Sequence, residues 1–211
     1  MEAPLGSRTK LTLPDGTLVW LNAGSRITYT QGFGVGNRKI ELIGEGYFEV
    51  KRNEEVPFLV KTNSLLVKVL GTKFNFRDYP DDAEAIVSLS EGKVALNNLL
   101  KKEKEAFLLP NERVVLNKKN GRMHVEYSTV SNALQWTNGY LFFDEELLPD
   151  VVKELERSYN VKIQIASDTL NTFRFYGNFV HREQNIQEVL EALSATRKIH
   201  YIIEGHNITL Y

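Results

Sequence analysis

The chain has 211 residues, 42% of them hydrophobic and 25% charged, an ordinary balance for a globular fold with one large or two small cores. Its 26 basic and 27 acidic residues leave a formal net charge of -1, which argues against a nucleic-acid binder with its basic face or stripe. Cysteine is absent, which excludes thiol catalysis, a cysteine zinc site and a disulfide framework.

The start, MEAPLGSRTK, has neither a basic n-region nor an apolar h-region, and no window approaches the ~20 apolar residues of a membrane helix. Two readings stay open, a cytosolic protein or a piece of a longer exported one. Ser7–Lys10 matches S-x-x-K, but that nucleophile belongs at the start of a buried helix, with S-D-N and K-T-G downstream, and neither follows. From Lys10 to Tyr127 the chain reads as strand after strand. Leu11 and Leu13 alternate with polar neighbours before the turn Pro14-Asp15-Gly16, and Leu18–Leu21 resumes as a strand. Gly32-Phe33-Gly34-Val35-Gly36 resembles a phosphate loop only in glycine count, since a strand and not a helix follows it.

Further period-2 runs fall at 40–42, 48–50, 58–60, 67–69, 74–76, 87–89, 94–96, 114–116 and 123–127, separated by turn signals at Glu91-Gly92, Pro110-Asn111 and Asn120-Gly121. The pattern predicts an all-β sandwich or roll over residues 1–130. Glycines break it at Gly44, Gly46 and Gly71, where a bulge or a close backbone approach is expected. Lys101-Lys102 and Lys118-Lys119 are expected at solvated hairpin ends.

Beyond Trp136 the period changes. Leu148, Val151, Val152, Leu155 and Tyr159 form one face of an amphipathic helix, with Asp144 or Pro149 at its start and Asn160 as a left-handed stop. Asn185 and Glu188 fit a capping box before a second stripe of Ile186, Val189, Leu190 and Leu193. With the strand runs around them, the order β-α-β-β-α-β-β predicts a small α+β domain over 136–211, two helices laid on one sheet. Phe173, Phe175, Tyr176 and Phe179 crowd one of its strands. A strand with bulky residues on both faces leaves either core alone or an apolar strip that takes a partner by strand addition. His124, His181, His200 and His206 offer no third ligand at metal spacing, so no metal and no cofactor are expected. Acidic spacings single out no glycosidase-like pair.

LPDGTLVWLNAGSRITY, GEGYFEV, PFLVKT and VLGTKFNF closely resemble the periplasmic sensor domain of FecR-like anti-sigma regulators. GYLFFDEELLPDVVKELERSYNVKI, FYGNF and NIQEVLEAL resemble the C-terminal domain often fused to it, itself similar to the short N-terminal domains of secretins and TonB-dependent receptors. The resemblance implies the periplasmic part of a single-pass inner-membrane regulator, with its membrane helix and cytoplasmic segment outside this chain. It implies two partners, the signalling domain of an outer-membrane TonB-dependent transporter, and an extracytoplasmic-function sigma factor held by the cytoplasmic segment. It implies a binding protein and not an enzyme, with one reservation. Some members of that family cut themselves at a Gly-Thr bond in this motif, which makes Gly71-Thr72 a candidate for single-turnover self-cleavage, with Asp78 or a water as base. The bland alternative for that step is a β-bulge with its threonine facing solvent. A cell-envelope glycan-binding module with exposed aromatics is the alternative function, and burial of Trp20 and Trp136 counts against it.

Overall fold

Alternating β-branched and aromatic residues separated by glycine-bearing turns give the first part of the chain thirteen strands, one of them long and shared. In the computed structural model, which describes residues 1–195 and 198–211, they run β1 (Glu2–Ala3), β2 (Thr9–Thr12), β3 (Leu18–Leu21), β4 (Ser25–Tyr29), β5 (Arg38–Glu49), β6 (Phe58–Lys61), β7 (Leu65–Val69), β8 (Lys73–Asp78), β9 (Glu84–Glu91), β10 (Val94–Asn98), β11 (Ala106–Leu108), β12 (Glu112–Asn117) and β13 (Met123–Tyr127). A short helix, α1 (Val130–Ala133), follows. These elements make one compact unit, Met1–Pro4 with Arg8–Leu134; Leu5–Ser7 and Gln135–Tyr211 make a second.

β5 organises the first unit because it belongs to two sheets. Its Arg38–Ile43 half pairs antiparallel with β4 and parallel with β6, in a sheet ordered β1-β4-β5-β6-β7-β10-β11. Its Gly44–Glu49 half pairs with β3 and β8, in a sheet ordered β2-β3-β5-β8-β9-β12-β13. The change occurs at Gly44, whose φ of 95° lies where a side chain is strained, and a Cβ there would stand 2.5 Å from Ser25 Oγ. Both sheets point inward onto one core. Phe48, Phe58, Phe74 and Phe76 are fully buried in it, with Phe48 stacked on Phe74 at 5.1 Å, and each such burial contributes about 2–3 kcal/mol. The all-β sandwich is as the sequence predicts.

Two details differ. Asn120-Gly121 does not make a two-residue hairpin: the loop closes by Asn117 N–H to Arg122 O at 2.9 Å, and only Gly121 takes a positive φ. Lys118 is not solvated. Its Nζ lies 2.6 Å from the buried Asp78 Oδ1 and also donates to the Tyr79 carbonyl, because the turn folds back over the end of β8.

In the second unit the order is β14 (Tyr140–Leu147), α2 (Leu148–Tyr159), β15 (Lys162–Ile165), β16 (Arg174–Val180), α3 (Ile186–Ser194), β17 (Tyr201–Glu204) and β18 (Asn207–Leu210). This is the predicted β-α-β-β-α-β-β order, but the strands form two sheets and not one. β14 pairs with β16, while β15 runs parallel to β18, which pairs with β17. A 3₁₀ turn at Asp168–Thr172 lengthens the β15–β16 connection beyond a hairpin loop, so those neighbours are free to pair elsewhere. Pro149 sits in the first turn of α2 and Asn160 stops it at φ 52°, whereas Asp144 lies within β14 and caps nothing. Asn185 Oδ1 accepts from Glu188 N–H at 3.0 Å and Glu188 Oε2 accepts from Asn185 N–H at 2.7 Å, the full capping box of α3. Leu148, Val151, Leu155, Val189, Leu190, Ile208 and Leu210 join Leu141, Phe143, Phe175 and Phe179 in the core of this unit.

Candidate functional site

The Gly71–Thr72 step joins β7 to β8, immediately before a register shift between Lys73 and Phe74. The bulge is therefore present, but Thr72 does not face solvent: it is 4% exposed, and its Oγ1 donates to the Lys93 carbonyl at 3.0 Å. Chain packs against both sides of the bond. A Cβ on Gly71 would stand 2.7 Å from Arg52 Cβ, so the site admits only glycine without displacing the 51–56 loop. On the other side, Gly92 at φ 94° brings its backbone so close that a Cβ would lie 3.0 Å from both Gly71 O and Thr72 Oγ1. The adjoining peptides are tied down by Val50 N–H to Thr72 O at 3.0 Å and Asn53 N–H to Leu70 O at 2.7 Å. The Lys93 carbonyl orients the hydroxyl but is far too weak a base to remove its proton. Asp78 stands six residues along β8, about 20 Å away at strand rise, and is engaged with Lys118, so it does not serve as that base.

The aromatic strand separates into two faces. Phe175 and Phe179 are 7% and 8% exposed and belong to the core, as period-2 alternation requires. Tyr176 points the other way and is 65% exposed, and Phe173, half-buried just before the strand, carries Lys198 Nζ 5.2 Å from its ring centroid. These two aromatics with Arg174, Phe175 and Lys198 line a shallow concavity of about 220 Å³.

One wall of the site is set by a bulge that sequence patterning misses. β14 shifts register between Phe143 and Glu146, and Glu145 there adopts φ 55°, unusual for a residue with a side chain. Arg174 Nη1 donates to the Glu145 carbonyl at 2.6 Å, and the Tyr176 hydroxyl donates to Glu145 Oε1. That hydrogen bond, with the Glu145 charge, holds the Tyr176 hydroxyl above its ordinary pKa. The acidic run Asp144-Glu145-Glu146 was the available signal, since charge and a bulge both interrupt a strand. The result is a tyrosine held by Glu145 beside two cationic side chains, its hydroxyl kept protonated, an arrangement suited to a protein contact.

The tryptophans offer no stacking platform. Trp136 is 7% exposed, and Trp20 has Tyr47 at 5.3 Å with Lys10 Nζ 4.4 Å from its ring centroid. Among the described residues no group of three metal-ligating side chains clusters, and no helix is long and apolar enough to cross a membrane.

Residues 1–95 match the model of the FecR protein family, and residues 140–210 match that of the FecR C-terminal domain. The chain belongs to the FecR family. Two crystal structures of a candidate anti-sigma factor from Parabacteroides distasonis ATCC 8503, at 1.65 Å and 2.50 Å, superpose with TM-scores of 0.91 and 0.90. Each is 34% identical, over 100% of this FecR chain and 97% of the other. No match is found among curated proteins. The FecR family and the likeness to that neighbour support a regulator role for this chain, and the sandwich with its small α+β unit is the architecture of that neighbour.

Proposed function

We propose that this FecR chain is the periplasmic part of a single-pass inner-membrane regulator that relays the loaded state of an outer-membrane TonB-dependent transporter to an extracytoplasmic-function sigma factor. The observation that carries the reading is the succession, on one chain, of a FecR sandwich and a FecR C-terminal unit. In this reading the α+β unit is the receiver, and Tyr176, fixed by Glu145 and flanked by Arg174 and Phe173, meets the transporter's signalling domain. Phe175 and Phe179 hold the strand that presents it. Transmission requires that the transporter domain bind one conformation of the regulator better than another, because affinity without that difference shifts nothing. A pull-down with the signalling domain of the cognate transporter tests the relay: capture at micromolar concentration supports it, and no capture sinks it.

Self-cleavage at Gly71-Thr72 would act on the same relay. The Thr72 Oγ adds to the Gly71 carbonyl carbon, the peptide C–N bond breaks as the nitrogen takes the proton, and water opens the resulting ester to a Gly71 carboxylate and a free Thr72 amine. Denaturing electrophoresis decides the matter. Two fragments meeting at Thr72, lost in Thr72→Ala, establish cleavage; a chain that stays whole removes it.

A further inference from the structure

Natural sheets blunt their open edges with charge, proline, bulges or side-chain caps, because an unpaired strand templates another. Among the described residues of the second unit, three of the four edges obey that rule. β15 carries Lys162 and has the Ile163 N–H capped by the Glu156 carboxylate at 2.9 Å. The β16 edge has the Val180 N–H capped by Gln184 Oε1 at 2.8 Å, and β14 carries its acidic bulge. β17 is different. Tyr201-Ile202-Ile203-Glu204 has no lysine, proline or bulge, carries charge only at its last residue, and leaves Ile202 50% and Ile203 39% exposed.

The phase of that edge follows from its pairing with β18. His200 N–H donates to Tyr211 O at 2.9 Å and Tyr211 N–H to His200 O at 3.0 Å, so 200, 202 and 204 turn their backbone groups toward β18. Tyr201 and Ile203 therefore turn theirs outward. We propose that β17 pairs antiparallel with β17 of a second copy of this chain about a twofold axis through Ile202. In that register Tyr201 of one copy exchanges both backbone hydrogen bonds with Ile203 of the other, and the two Ile202 side chains meet on the outer face. The same register sets each Glu204 carboxylate opposite the other copy's His200 imidazole, twice by symmetry, and places no like charges face to face. That reciprocal complementarity is what favours a second copy as the occupant. Strands of four residues bury little area, so the dimer is weak and concentration-dependent. The pairing stands apart from the relay reading and survives its failure.

Sedimentation velocity on the whole chain, from micromolar to about millimolar concentration, is expected to show the 24.1 kDa monomer giving way to dimer. Ile202→Lys places like charges across the axis and is expected to weaken the dimer by at least about tenfold, with circular dichroism and melting unchanged because the side chain is half exposed. The register is read separately. Since the chain has no cysteine, Ile202→Cys provides the single thiol, and non-hydrogen-bonded partners about 4.5 Å apart at Cα are within disulfide reach. With oxidised glutathione it is expected to cross-link at least about tenfold faster than Ile203→Cys, whose own copy is displaced along the strand. A chain monomeric throughout with equal cross-linking rates overturns the proposal, as does a dimer that persists in Ile202→Lys. So does a wild-type monomer whose Ile202 edge is taken instead by the transporter domain.

Discussion

At the scale of single residues, Gly44 and Gly71 show two reasons for a glycine within a strand. Gly44 combines a positive φ with contact against Ser25, whereas Gly71 has no positive φ and is required only by the approach of Arg52. Gly44→Ala is expected to destabilise the chain by about 2–4 kcal/mol in urea unfolding, from strain and clash together. Gly205→Ala separates the two effects: at φ 63° its Cβ meets nothing within 4 Å among the described residues, so about 1 kcal/mol is expected. Tyr47 supplies a pH prediction. Burial first, and then the charge and hydrogen bond of Glu49 at 3.3 Å, push its hydroxyl far above the ordinary tyrosine range. A folded pKa above the unfolded value of about 10 gives stability that is intact below pH ~10 and lost as the pH rises through the folded value. Urea midpoints measured between pH 8 and pH 11 are expected to fall more steeply for wild type than for Tyr47→Phe.

At the scale of elements, the start of α3 and the end of α2 were legible because caps are local chemistry, whereas the start of α2 was open between Asp144 and Pro149. Asn185 accepts from the Glu188 N–H, so Asn185→Ala is expected to cost about 1 kcal/mol and to speed amide exchange in the first turn of α3. Asn160 was equally readable from its place after Tyr159. Strand existence was legible from alternation, but pairing was not. Nothing in period-2 order reveals that β5 changes sheets at Gly44, that β6 joins it in parallel, or that β15 leaves β16 for β18. Those choices depend on long-range contacts. The faces of β16 follow from alternation once its phase is known, which is why Phe175 and Phe179 go to the core and Tyr176 to the surface. The Glu145 bulge that fixes Tyr176 was hidden, since its αL geometry comes from contacts made 29 and 31 residues away in sequence.

At the scale of the whole molecule, alternation and stripe lengths revealed a β-rich half followed by an α+β half, but the function came from resemblance to a family and not from periodicity. The relay reading assigns reception to the second unit, which makes a comparison across the chain informative. Tyr176→Ala is expected to weaken capture of the transporter domain by about tenfold, whereas Tyr127→Ala, on the more exposed tyrosine of β13 at 87%, is expected to leave it unchanged. Surface plasmon resonance on both variants reads the difference, and equal losses would move the receiver off β16. The double membership of β5 also bears on how the sandwich forms. Both sheets take their alignment from one strand, so a one-residue slip on either side of Gly44 would expose Ile40 and Leu42 or Phe48 together with their partners. Neither sheet can settle its alignment without β5, and the two are therefore expected to fold in a single kinetic step whose nucleus contains this strand.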